Sequence, residues 1–126
     1  RGLGSSSRQD WTDARNANTV ITAKDFHRMG IQNVLGQIPS GKTFITFDID
    51  AYDISLMPAT AAPSPGGLLY DETCELLSGI CSKAEVIGFD LVETAPSYDT
   101  PATTGCRLAA LTMLHIMGQM TKKTLE

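Results

Sequence analysis

Two aspartates, Asp48 and Asp50, stand two residues apart at the end of an apolar run. In an extended chain, residues two apart point the same way. The spacing therefore predicts two carboxylates aimed at one spot. Unpaired carboxylates crowded together repel, so such a pair calls for a cation. A hard divalent ion such as Mn²⁺ or Mg²⁺, which prefers oxygen ligands, fits that need. Further on, Glu93 closes a second apolar run, Val86-Ile87-Gly88-Phe89, which Asp90 interrupts. If both runs are parallel strands, Glu93 comes to the same carboxyl edge as the aspartates, where α/β sheets bind ligands.

The elements that must position these groups can be read from the pattern. Thr43 to Phe47 is β-branched and aromatic after a Pro39-Ser40-Gly41 break, which reads as a buried strand. A long loop follows, from Pro58 to Gly67, stiffened by three prolines and closed by a glycine pair. Loops this long in a domain are usually functional or disordered, and prolines favour a fixed shape. Tyr70 to Ser82 reads as a helix with Leu76, Leu77 and Ile80 inward and Asp71, Glu72 and Glu75 near its amino end. Ala84 to Val92 is the next strand, apolar enough to be central and parallel. Thr100-Pro101 predicts a helix start, with Leu108, Leu111, Leu114 and Met117 as the core stripe and Gly118 as the stop.

Upstream, Ser5 to Asn18 is polar and reads as a loop with at most one helical turn, and Trp11 packs it onto the body. Val20-Ile21 is expected as a short strand. Thr22 starts a helix carrying Phe26 and Met29, and a second runs from Ile31 to Ile38. Strand and helix alternate, which predicts an α/β sandwich with a parallel sheet. His27 and His115 have no partner motif and are expected to be surface or packing residues.

Thr46-Phe47-Asp48-Ile49-Asp50-Ala51-Tyr52-Asp53, Pro58-Ala59-Thr60 and Pro63-Ser64-Pro65-Gly66-Gly67-Leu68 together resemble the aspartate-rich signature of the ureohydrolases, the arginase and agmatinase family. The segment from Gly88 to Asp99 resembles that family's next strand-to-loop block, in its agmatinase form. The resemblance runs from Arg1 to about Gly118. It implies a three-layer α/β/α sandwich with a parallel sheet, of which this chain is the carboxy-terminal part, with its last three strands and at most the stub of a fourth at Arg1. It implies two Mn²⁺ per full-length subunit, with Asp48 bridging the ions and Asp50 binding one. It implies Glu93 as the partner of a guanidinium group, with Asp53 in support. The reaction it implies is hydrolysis of a guanidino compound, agmatine foremost, to urea and an amine.

Three positions depart from the family pattern: Ile54 replaces the usual Pro, Ala61-Ala62 the usual Gly-Thr, and Ser64-Pro65 the common pocket residues. They bear on substrate identity more than on metal binding. The family's two histidine ligands belong to motifs upstream of this chain, so residues 1–126 alone are expected to be inactive. Family members are usually homo-oligomers.

Other classes fit less well. A haloacid-dehalogenase-type phosphatase also ends a strand in Asp-x-Asp, but it requires Thr or Val where Tyr52 stands and leaves the Glu93 block unexplained. A ureohydrolase-fold subunit or scaffold without catalysis is the other alternative, opposed by the retention of Asp48, Asp50 and Glu93.

The 126 residues suit one domain, and 42% hydrophobic content argues against disorder. A net charge of −4 argues against nucleic acid or an anionic membrane as partner. No apolar run approaches the roughly 20 residues of a membrane span. Cys74, Cys81 and Cys106 lack metal-finger spacing and read as reduced thiols of a cytoplasmic protein.

Overall fold

The computed structural model describes residues 6–125, with side chains to residue 122. The expected strand stub at Arg1 lies outside them.

Two parallel strands form the sheet among the described residues: β1 (Lys42–Asp48) and β2 (Glu85–Val92). Their pairing runs from Lys42↔Glu85 to Asp48↔Val92. The register slips once, between Thr43↔Val86 and Phe44↔Gly88, which leaves Ile87 as an extra, unpaired residue. The slip moves the inward positions of β2 from Val86 to Phe89 and Leu91, which pack against the core. Phe44 lies close over Gly88, where a side chain would collide with its ring.

Among the described residues, five α-helices accompany the sheet: α1 (Arg8–Ala17), α2 (Ala23–Met29), α3 (Ile31–Gly36), α4 (Tyr70–Lys83) and α5 (Thr104–Leu125). One face of the sheet supplies Ile45 and Phe47 to a core shared with Ile49, Tyr52, Met57, Ala59, Leu77, Ala109 and Ile116. Helices α4 and α5 pack on each other and on β2. The opposite face carries exposed Phe44, Thr46 and Asp48 from β1. Thr46 donates a hydrogen bond across the strands to Asp90 on that face. The fold is thus the α/β parallel-sheet architecture expected, in part.

Four local expectations need correction. Ser6 to Asn18 is not mainly loop: α1 covers ten residues, started by a capping box between Ser7 and Asp10. Polar composition hid it, because α1 buries no residue and so shows no apolar stripe. Trp11 on it stays partly exposed, with the Arg15 guanidinium 5.1 Å from its ring centre. Val20-Ile21 forms no strand and adds nothing to the sheet.

Helix α5 starts at Thr104 rather than Pro101, and it passes through Gly118 to Leu125. Its core side is Ala109, Thr112 and Ile116, while Leu111, Leu114 and Met117 are exposed. A rotation of one position around the helix exchanges an apolar stripe for a smaller one, and small residues fit close to Tyr52. The Thr112 and Tyr52 hydroxyls meet at 2.7 Å in the core.

Other readings hold in part: β1 is buried on one face only, with Phe44 exposed, and of the residues read as inward on α4 Leu77 is buried while Leu76 and Ile80 are half-buried. Helix α4 buries Thr73, Leu77 and Cys81, and Glu72 accepts the Leu69 amide at its start. His115 joins α5 to α4 by hydrogen bonds of 3.0 Å to the Ser78 hydroxyl and to the Cys74 carbonyl. His27 is exposed and pairs with Glu72 at 3.3 Å. All three cysteines are free thiols.

Candidate functional site

Strand β1 ends at Asp48, and the chain turns at once into a short 3-10 segment, Ile49–Ala51. Asp48 caps that turn: its Oδ1 accepts the Asp50 amide at 3.1 Å. Ile49 is fully buried and drives the turn into the core. The two aspartates therefore sit on a strand end and a capped turn, and not on alternate positions of one extended strand. Asp48 is exposed and Asp50 half-buried.

Glu93 stands one residue beyond the Asp48↔Val92 pair, at the same carboxyl edge. It adopts φ 63, left-handed backbone that residues with a Cβ avoid. Among the described non-glycine residues only Thr103, with φ 54, shares that region. Outliers of this kind persist where surrounding contacts over-determine them, and they gather at functional sites.

Asp53 anchors the proline-rich loop. Its Oδ1 accepts the Ser55 amide at 2.9 Å and the Ser55 hydroxyl at 2.6 Å. Its Oδ2 accepts the Gly66 and Gly67 amides at 2.7 and 3.2 Å. The loop thus leaves and returns at one carboxylate. The Leu68 amide then bonds to the Ala51 carbonyl at 2.8 Å. The Ser55 hydroxyl and amide first, with the glycine amides, outweigh partial burial and lower the Asp53 carboxyl to about 2.

Asp99 anchors the loop after Glu93 and has no counterpart in the sequence reading, which placed the helix cap at Thr100. Its Oδ1 accepts the Thr100 and Gly105 amides at 2.8 and 2.9 Å, and its Oδ2 the Cys106 amide at 2.9 Å. Burial would raise this carboxyl, but the Cys106 and Gly105 amides, the Cys106 thiol and the Thr100 amide bring it down to about 2. In return the carboxylate pushes the Cys106 thiol up. The available signal was an aspartate just ahead of a helix that begins with small residues.

The two loops meet. The Ala95 amide donates to the Ala59 carbonyl at 2.8 Å. On either side of that contact, the hydroxyls of Thr60 and Thr94 are buried without a hydrogen-bond partner.

Both anchors make acid stability a test. Each folded carboxyl lies near 2 against an ordinary 3.8, so each contributes stability that is complete above about pH 4 and lost as pH falls toward 2. Melting temperature followed from pH 5 to pH 2 should fall within that window. An Asp53→Asn/Asp99→Asn variant should show a flatter fall there; an equal fall would mean that neither carboxylate is responsible.

The donor chemistry suits a hard cation: Asp48 and Asp50 offer carboxylate oxygens at an exposed edge. Among the described residues, no group of three or more His, Cys, Asp or Glu side chains is close enough to hold a metal ion. Asp48 and Asp50 alone would supply only part of the ligand set of such an ion. No helix among the described residues is long and apolar enough to cross a membrane.

Known proteins resemble the chain in sequence and in fold. Residues 1–118 match the arginase family. An agmatinase from Salmonella paratyphi B is 32% identical over 115 residues, which cover 88% of this chain and 37% of that protein. The proclavaminate amidino hydrolase of Streptomyces clavuligerus superposes with a TM-score of 0.79 at 28% identity, covering 91% of this chain and 40% of that one. Formimidoylglutamase from Bacillus subtilis gives a TM-score of 0.80 at 27% identity, covering 94% of this chain and 39% of that one. The chain thus spans a little over a third of the length of the curated relatives that it matches. With the match extending over nearly all of its residues and the fold in agreement, the chain belongs to the arginase family.

Proposed function

We propose that residues 1–126 are the carboxy-terminal part of a single ureohydrolase domain, in a larger enzyme that hydrolyses a guanidino compound to urea and an amine. The observation that carries this reading is the strand register, Asp48↔Val92, which brings Glu93 to the edge where Asp48 and Asp50 lie. Agmatine is the proposed substrate, because the curated relatives matched are agmatinases. The proposed cofactor is two Mn²⁺ per full-length subunit, held by Asp48, Asp50 and ligands outside this chain. Such an ion pair, when bound, makes a nucleophilic water available at neutral pH. The enzyme is proposed to be a cytoplasmic homo-oligomer, and this chain alone inactive.

The role of this chain's own Glu93 is to bind and orient. A guanidinium group stays cationic at neutral pH and offers planar, paired N–H donors, for which an exposed carboxylate is the natural partner. The left-handed backbone at Glu93 ends β2 there instead of continuing the strand. The two carboxylates on the β1 side and the one on the β2 side then share an edge, which separates metal binding from substrate binding.

Glu93→Gln in the full-length protein tests this. It retains shape and removes charge, and a hydrogen bond to a charged group contributes about 1.5–3 kcal/mol. The expected loss in kcat/KM for agmatine is about ten- to a few-hundredfold, with Mn²⁺ content unchanged. Full activity in the variant would overturn the substrate role, and loss of metal would make Glu93 a ligand or a ligand's support.

A further inference from the structure

We propose that Asp99 is a positioning residue for Glu93, one that fixes the turn after β2 by gathering backbone amides from the start of α5. The proposal rests on the reading of Glu93 as the guanidinium partner. Glu93 is held in an unfavourable backbone conformation, so something on each side must hold it. On the amino side, Val92 pairs with Asp48 in the strand ladder. On the carboxyl side, the Ala95 amide is bound to the Ala59 carbonyl at 2.8 Å. The Tyr98 amide bonds to the Ala95 carbonyl at 3.0 Å, and the Asp99 amide to the Pro96 carbonyl at 3.1 Å.

The Asp99 side chain joins the end of that turn to α5. It accepts the amide of its neighbour Thr100 and, from the first turn of the helix, those of Gly105 and Cys106, which tie the end of the turn to α5. The helix start is itself wedged. A Cβ on Gly105 would come within 2.5 Å of the Ala59 Cβ and 3.2 Å of Asp99 Oδ1, so the helix backbone abuts the very residue whose carbonyl holds Ala95. Asp99, Gly105, Ala59 and Ala95 therefore form a closed circuit of contacts, two residues from Glu93. The other left-handed residue, Thr103, lies inside the segment that Asp99 spans, so the charge also holds the second unfavourable turn.

A plain helix cap would affect stability alone, and a double-mutant cycle separates the two roles. Asp99→Asn keeps the size of the side chain but loses its charge and one accepting oxygen. In the full-length protein it should lower kcat/KM for agmatine about tenfold, the range seen when a supporting group of a site is removed, with Mn²⁺ content unchanged. Combined with Glu93→Gln, the further loss should shrink to less than about twofold, because Asp99 acts through Glu93. An equal fold-loss in both backgrounds overturns the proposal. Thr22→Ala, which removes the cap of α2, should lower the melting temperature and leave kcat/KM as it is. If the unaltered protein releases no urea from agmatine, the functional reading fails, and amide exchange decides the positioning. Exchange at Ala95 should be about tenfold faster in Asp99→Asn, and an unchanged rate overturns the proposal. Should the Asn variant not fold, Asp99→Ser, which keeps one capping oxygen, carries the same measurements.

Discussion

Asp48→Ala in the full-length protein should abolish metal binding and catalysis together. Asp48 is the residue at which the strand ends and the turn begins, and on the proposed reading it is shared by both ions. Removing groups that only support metal ligands costs about 10–100-fold, so loss of a shared ligand should exceed about a hundredfold in activity. The variant also loses the acceptor for the Asp50 amide, which turns the neighbouring carboxylate out of place. Asp50→Ala should weaken mainly one ion. Elemental analysis of the purified variants distinguishes the roles: two Mn²⁺ retained per subunit in Asp48→Ala would show that Asp48 is not the bridge. The cap and the ligand can also be told apart. Asp48→Asn keeps an oxygen for the Asp50 amide, so it should preserve the melting temperature while still losing metal.

The second large effect belongs to the glycine pair that ends the proline-rich loop. A Cβ at Gly67 would collide with the Tyr52 carbonyl carbon and lie 2.5 Å from both the Tyr52 oxygen and the Asp53 nitrogen. These are backbone atoms, on a segment held by the Asp53 amide bond to the Leu68 carbonyl at 3.0 Å. No side chain can swing away to make room. Overpacking costs about 1–3 kcal/mol where side chains can adjust, so Gly67→Ala should cost about 3 kcal/mol or more. Gly66 supplies the control. It has φ 74 and open space around the position of a Cβ, so Gly66→Ala meets only the backbone penalty of about 1–2 kcal/mol. Equal melting temperatures for the two variants would mean that the loop does not close against Tyr52 and Asp53 as described. Because Asp53 also holds the loop's amides, Gly67→Ala should further slow catalysis in the full-length protein, by loosening the segment next to Asp48 and Asp50.

Local chemistry made much of this legible in the residues alone. The β1 and β2 strands are β-branched and apolar over most of their length, and such runs favour paired strands, here buried on one face. Helix α4 carries its apolar spacing and its acidic first turn within the 14 residues of Tyr70–Lys83, which is enough to define its start. The motif residues Asp48, Asp50 and Glu93 stand out as candidates because their types are few and their spacing is fixed along the chain. Asp53 was assigned a supporting role, and the structure gives it four hydrogen bonds within its own loop.

What escaped were features that depend on contacts distant in sequence. The orientation of α5 is one. Leu108, Leu111, Leu114 and Met117 make a good apolar stripe, but the space beside Tyr52 admits Ala109, Thr112 and Ile116 instead. Helix α1 is another, since a polar helix announces itself only through its cap. Sequence by itself singled out Asp48, Asp50 and Glu93 as candidates and set Asp48 and Glu93 at strand ends, because residue type and local periodicity need no partner to be read. Only the tertiary structure decided that Asp50 lies on a capped turn, that β2 slips by one residue at Ile87, and that Asp99 ties the Glu93 turn to α5. Each of those depends on which backbone amide faces which carboxylate across the fold, and hydrogen-bond partners of that kind are chosen by packing, not by spacing.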